Sequence, residues 1–108
     1  MKLSIAIVAA LTAASNAVIV QLFSDTNCRV AAGERNVWDN SCAPTGGFQS
    51  YRITFPGAYG QKLLAYSRNA CVAPHTSCVS ASYRSGICER ATNAKGGSNA
   101  LGSFFVVC

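Results

Sequence analysis

The sequence predicts an all-β fold, a small disulfide-stapled β-sandwich, and three observations predict it. The chain is short, 108 residues, and carries six cysteines. Short alternating or β-branched and aromatic runs are separated by Gly-rich turns. The second half also repeats the order of features found in the first. Charged residues make up 12% of the chain, about half the roughly 25% usual in soluble domains. With 50% apolar residues it does not read as a disordered tail. It also lacks the heptad-spaced Glu, Lys and Leu of a coiled coil.

The elements follow in order. Met1-Lys2 is a short positive start, Leu3 to Ala14 an almost unbroken apolar run, and Ser15-Asn16-Ala17 a small-residue exit. This is the layout of a secretory signal peptide. The cut is expected after Ala17, leaving residues 18–108 as one extracellular domain. A membrane anchor would need about 20 predominantly apolar residues, whereas Ser15, Asn16, Gln21 and Ser24 interrupt this run.

Val18 to Phe23 reads as the first strand and leads into Ser24-Asp25-Thr26-Asn27-Cys28. Glu34 to Asn40 reads as a charged loop carrying the only Trp, before Cys42 and a Gly46-Gly47 turn. Gln49 to Phe55 alternates, with Tyr51, Ile53 and Phe55 on one face and Ser50, Arg52 and Thr54 on the other. After a Pro56-Gly57 turn, Lys62 to Tyr66 opens a second copy and leads into Ser67-Arg68-Asn69-Ala70-Cys71. Val79 to Tyr83 alternates as well, and Ser85-Gly86 and Gly96-Gly97 supply further turns. Phe104 to Val107 is an apolar run suited to a central strand. Cys28 thus answers to Cys71, Cys42 to Cys88, Gly46-Gly47 to Gly96-Gly97, and Ser50 to Ser103. Motif one covers about 18–57 and motif two about 58–108.

All six cysteines, Cys28, Cys42, Cys71, Cys78, Cys88 and Cys108, lie beyond the expected cut and read as three disulfides. Each typically contributes about 2–4 kcal/mol. Zinc prefers closely paired cysteines or Cys/His clusters, and here His75 stands alone, so neither metal nor cofactor is expected. A ribonuclease would recruit His75, Glu89 and Arg84 or Arg90, but nothing in their spacing makes them meet, and no G-x-S-x-G occurs. No catalytic residue is assigned. Arg29, Arg35, Arg52, Lys62, Arg68, Arg84, Arg90 and Lys95 are dispersed, which argues against a nucleic-acid tract. Gathered on folding, they would favour an anionic membrane. Trp38 beside Arg35 has the composition of a contact hot spot, and equally that of a lid on a small core. Gly57-Ala58-Tyr59-Gly60 suits either a glycine-hinged recognition loop or a plain turn.

The stretch Gln49-Ser50-Tyr51-Arg52-Ile53, continuing through Leu64-Ala65-Tyr66-Ser67-Arg68-Asn69, resembles the join between motifs in βγ-crystallins. That resemblance implies two Greek-key-like motifs. The family's aromatic-x-Gly after the first strand is replaced by Cys28-Arg29-Val30 and Cys71-Val72-Ala73. Its calcium signature is not recognisable, Asp39-Asn40-Ser41 coming closest but out of position. If the halves are copies, Cys28 pairs with Cys42 and Cys71 with Cys88, leaving Cys78 for Cys108. A Cys71–Cys78 bridge is the rival. More broadly the chain resembles small secreted cysteine-rich proteins of fungi: killer toxins, antimicrobial proteins and effectors of plant infection. The resemblance implies a monomeric, non-enzymatic effector that binds an extracellular host or competitor target. Its contacts would be Trp38, Arg35 and the Cys71–Cys78 loop with His75. The alternatives are a cationic toxin acting on membranes and a protease inhibitor using the Val72–Ser77 loop.

Overall fold

The computed structural model describes residues 16–93 and 96–108. Residues 1–15 of the expected leader, and Lys95 of the basic set, lie outside the described residues. The described residues form eight strands: β1 (Ala17–Phe23), β2 (Ala31–Trp38), β3 (Ser41–Phe48), β4 (Ser50–Phe55), β5 (Lys62–Tyr66), β6 (His75–Ser80), β7 (Cys88–Arg90) and β8 (Ser98–Phe104). They form two four-stranded sheets, ordered β2-β1-β4-β7 and β3-β8-β5-β6, with every pairing antiparallel. The fold is all-β, as its alternating segments require. Advancing every strand of the first sheet by four positions gives the order of the second. In this correspondence β7 wraps round to β3, so β3 lies in the second sheet and β7 in the first.

The core lies between the sheets. Val18, Val20 and Leu22 are buried along β1, while Ile19 and Gln21 between them are only partly covered, a clean period of two. Tyr51 and Ile53 of β4, Leu63 and Ala65 of β5, and Leu101 of β8 complete the layer with Val37 and Phe48. Each large apolar side chain buried this way contributes about 1.5–3 kcal/mol. The sheets are also joined by a hydrogen bond of 2.8 Å between Tyr51 Oη and Ser77 Oγ, which lets the phenol be buried without an unpaired hydroxyl. A second cluster of Leu64, Tyr66 and Ala100 sits on the outer face of β5 and β8, packed by Cys71, Cys78 and Phe104.

Several sequence expectations are corrected. Trp38 does not lie in a loop but closes β2, an edge strand whose side chains are exposed except for Val37. An edge strand with one buried position has too little alternation to be read. The Gly46-Gly47 pair is not a turn but lies inside β3, where the register shifts between Pro44 and Phe48 and Gly46 takes a positive φ of 75°, as a bulge requires. Val79–Tyr83 is not the sixth strand, which ends at Ser80, and Phe104–Val107 is not the last. That strand is Ser98–Phe104, rich in small residues because Cys71 packs on its outer face. A Cβ on Gly102 would lie 3.1 Å from Cys71 Sγ and 2.5 Å from the Phe104 ring. Phe55, expected on the face of Tyr51 and Ile53, is exposed because the register shifts between Ile19 and Val20, which sets Phe55 opposite the outward-facing Ile19 instead. Ser50, expected outside, is fully buried. Its Oγ donates to Asp25 O at 2.6 Å and accepts the Cys28 amide at 3.1 Å, so the loop after β1 covers it.

All six cysteines are paired, as Cys28–Cys88, Cys42–Cys71 and Cys78–Cys108. Of the pairs expected from copied halves only Cys78–Cys108 occurs; Cys28–Cys42 and Cys71–Cys88 do not, nor does Cys71–Cys78. The reason is the exchange of β3 and β7. Cys42 travels with β3 into the second sheet, and Cys88 with β7 into the first. Cys28–Cys88 and Cys71–Cys42 are thus the same bridge in the two halves, each crossing between motifs. The ladder also corrects one equivalence. Phe23 pairs with Ser50 and its counterpart Tyr66 with Ala100, so Ser50 answers to Ala100 and not to Ser103.

Candidate functional site: an aromatic end of the sandwich

Antiparallel pairing brings alternate strand termini to the same end of the sandwich. The Asp39-Asn40 turn, the 56–61 and 81–87 loops and Phe105 gather at one end, from which the chain runs back so that Cys108 reaches Cys78 of β6. Asn40 makes the tight turn with a positive φ of 57°, a conformation Asn tolerates. Of the large hydrophobic residues exposed among the described residues, Trp38, Phe55, Tyr59, Tyr83, Ile87 and Phe105 belong to this end, and Val30 lies at the other. Scattered exposed apolar residues are ordinary, but a concentration of them marks a contact surface.

A buried polar plug shapes this end. Gln61 is fully buried; its Nε2 donates to Ser103 Oγ at 2.6 Å and its Oε1 accepts the Ala58 amide at 2.9 Å. A Cβ on Gly57 would lie 2.6 Å from that Oε1, so the loop closes tightly only with glycine there. Tyr59, at the tip of this loop, is 79% exposed and Tyr83 is 73% exposed. Their hydroxyls stand 3.3 Å apart. The hydrogen bond to Tyr59 pushes the Tyr83 phenol up from its ordinary range, with Lys62 opposing. The Phe105 ring lies 3.7 Å from where a Cβ on Gly60 would stand, and Lys62 Nζ donates to Gly60 O at 3.4 Å. Tyr59 and Tyr83 thus meet through their hydroxyls, and Phe105 packs beside Gly60, the residue after Tyr59, with Lys62 at the same loop. Beside it, Arg84 is ion-paired with Glu89, which raises the Arg84 pKa.

The sequence-expected contacts do not converge. Trp38 is half-exposed and belongs to this end, paired with Ala17, while Arg35 pairs with Val20 farther along β2. His75 begins β6 opposite Tyr66, at the far end. The ribonuclease set is divided too. Arg84 meets Glu89, Arg90 donates to Thr92 Oγ1 at 2.8 Å, and His75 is hydrogen-bonded to none of them among the described residues. In the Val72–Ser77 loop, residues from His75 onward belong to β6, so the free segment is shorter and is braced through Cys42–Cys71. Among the described residues no group of three or more His, Cys, Asp or Glu is placed to hold a metal ion. Sequence reasoning passed over Phe55, Tyr83 and Phe105. Alternation disguised the first two and an apolar run the third, while Tyr59 between glycines carried a usable signal.

The far end is polar. A cleft of about 320 Å³ lies there, lined by Ser24, Gly47, Phe48, Gln49, Gly97, Ser98 and Asn99. No helix among the described residues is long and apolar enough to cross a membrane. No family model, characterised protein or solved structure matches this chain.

Proposed function

We propose that this is a secreted, non-enzymatic, effector-like protein that docks on a target outside the cell through its aromatic end. The observation that carries the reading is the gathering of every strongly exposed aromatic side chain, Trp38, Phe55, Tyr59, Tyr83 and Phe105, at one end. Aromatic residues lose little conformational entropy on contact and bury a large area. Three disulfides in so small a chain support an oxidising, extracellular setting. The exchange of β3 and β7 between the sheets supports the crystallin-like, Greek-key reading of the two motifs.

Labelled protein added to washed yeast and plant cells tests the reading. Binding is expected with the native chain and is expected to fall about tenfold in Tyr59→Ala/Tyr83→Ala. Binding unaffected by that double substitution would defeat the reading. A second reading, the cationic toxin, draws on Arg29, Arg68 and Arg90 at the far end. It predicts cell killing that fades as salt is added and that persists in Tyr59→Ala/Tyr83→Ala.

A further inference from the structure

Resting on the reading that the aromatic end makes the contact, we infer that its ligand is an uncharged polysaccharide of β-linked pyranose rings, held by Tyr59, Tyr83 and Phe105. The first argument is charge. The ionic groups at this end are Lys62 and Arg84 against Asp39 and Glu89, and Arg84 is closed on Glu89. The aromatic surface is therefore electrically balanced within a chain of formal net charge +5. The unbalanced cations Arg29, Arg68 and Arg90 sit at the opposite end. There the Asp25 carboxylate is already engaged by the amides of Asn27, Arg29 and Val30. An anionic bilayer or an acidic protein would attract that opposite end and turn the aromatic end away.

The second argument is the chemistry of the surface. A pyranose ring in β-linkage has apolar C–H faces, hydroxyls around its edge and no charge. Aromatic rings cover such faces, and a phenol adds a polar tip that both donates and accepts. Here the paired hydroxyls of Tyr59 and Tyr83 and the Lys62 ammonium meet the sugar edge, while the tyrosine and Phe105 rings meet its faces. The rings come from three separate segments, which suits successive residues of an extended chain. Gly60 keeps the space beside Phe105 open.

Co-sedimentation with insoluble β-glucan, chitin and cellulose tests this, at low salt and at about 0.5 M NaCl, where charge attraction is screened within a few ångströms. The native chain is expected to be retained on at least one polysaccharide equally at both salts. Tyr59→Ala/Tyr83→Ala and, separately, Phe105→Ala are expected to bind about tenfold more weakly, while Arg29→Ser/Arg68→Ser binds normally. All these side chains are exposed, and intact disulfide mass with unchanged near-UV circular dichroism verifies folding. No retention on any of the three polymers would overturn the inference. So would retention lost with salt or with the arginine variant but not with the tyrosine variant. Capture on phosphatidylcholine–phosphatidylserine vesicles that requires Tyr59 and Tyr83, without glycan retention, would assign the surface to lipid instead. If glycan retention fails while the tyrosine variant still loses cell binding, the ligand class is wrong and the docking surface stands. Undiminished cell binding by that variant removes the docking surface itself.

Discussion

Gln49 and Asn99 make the same hydrogen bond from equivalent positions in the two halves. Gln49 Nε2 donates to Ser24 O at 2.9 Å, and Asn99 Nδ2 donates to Ser67 O at 2.8 Å. Each follows a Gly-Gly pair and ties the start of its strand to the loop after the preceding first strand. The two residues face each other across the polar cleft, so the seam between the halves is built twice from one local device. Its two glycines nevertheless differ in their surroundings.

That difference predicts unequal tolerance. A Cβ on Gly97 would lie 2.4 Å from Phe48 O, a backbone atom, whereas one on Gly47 meets only Asn99 Oδ1 at 3.8 Å. Gly97→Ala is expected to destabilise the fold by about 1–3 kcal/mol, as overpacking does. Gly47→Ala should stay within about 0.5 kcal/mol of the native chain, as an ordinary surface change does. Urea denaturation of both variants checks this; equal midpoints would contradict the close approach at Gly97.

Peptide mapping without reduction is expected to recover Cys28 with Cys88, Cys42 with Cys71 and Cys78 with Cys108. Recovery of Cys28 with Cys42 would contradict the exchange of β3 and β7. The Cys28–Cys88 bridge spans 60 residues and Cys42–Cys71 spans 29. Removing each pair by Ser substitution is expected to cost about 2–4 kcal/mol. The longer loop should cost about 0.6 kcal/mol more, from the logarithmic dependence on loop length.

Alkaline stability is expected to depend on Tyr51. Burial pushes its phenol far above the ordinary tyrosine range, against the hydrogen bond to Ser77. The folded state therefore holds the neutral phenol after the unfolded chain begins to ionise near pH ~10. Stability is full below that pH and falls as pH rises beyond it. Tyr51→Phe is expected to make the alkaline decline shallower while costing about 1 kcal/mol at neutral pH, through the Ser77 hydroxyl left without its partner. Thermal midpoints from pH 7 to pH 11 measure both effects.

Asp25 sets the acid limit of the loop after β1. The Val30 amide foremost, helped by those of Arg29 and Asn27, holds its carboxyl below the usual range against the opposing effect of desolvation. With the folded pKa depressed, its contribution is present above the unfolded value of about 4 and is lost as pH falls through the folded one. Asp25→Asn is expected to flatten the decline in thermal midpoint below pH ~4. A decline of unchanged slope would show that the carboxylate does not hold this loop.

Legibility in the sequence followed burial contrast. Val18 to Phe23 and Lys62 to Tyr66 were readable as strands because they are apolar and pack into the sandwich or against its disulfides. Ala31 to Trp38 was not, because an edge strand exposes almost every side chain and so shows no period. Ser98 to Phe104 was not, because a central strand on which Cys71 packs must use small residues, which carry weak strand signals. At the aromatic end, Trp38 and the Gly57–Gly60 loop drew attention from sequence alone. Tyr83 and Phe105 did not, since an exposed aromatic and a buried one look alike in a sequence.

The sequence by itself determined the all-β class and the disulfide-stapled build, because these rest on local alternation and cysteine count. Tertiary structure alone decided which cysteines meet, which aromatic residues face solvent and which of them stand together. Those depend on β3 and β7 trading sheets and on antiparallel strands delivering distant loops to one end. Both are long-range choices, settled by how the two sheets bury their inner faces against each other, and no short window of residues encodes them.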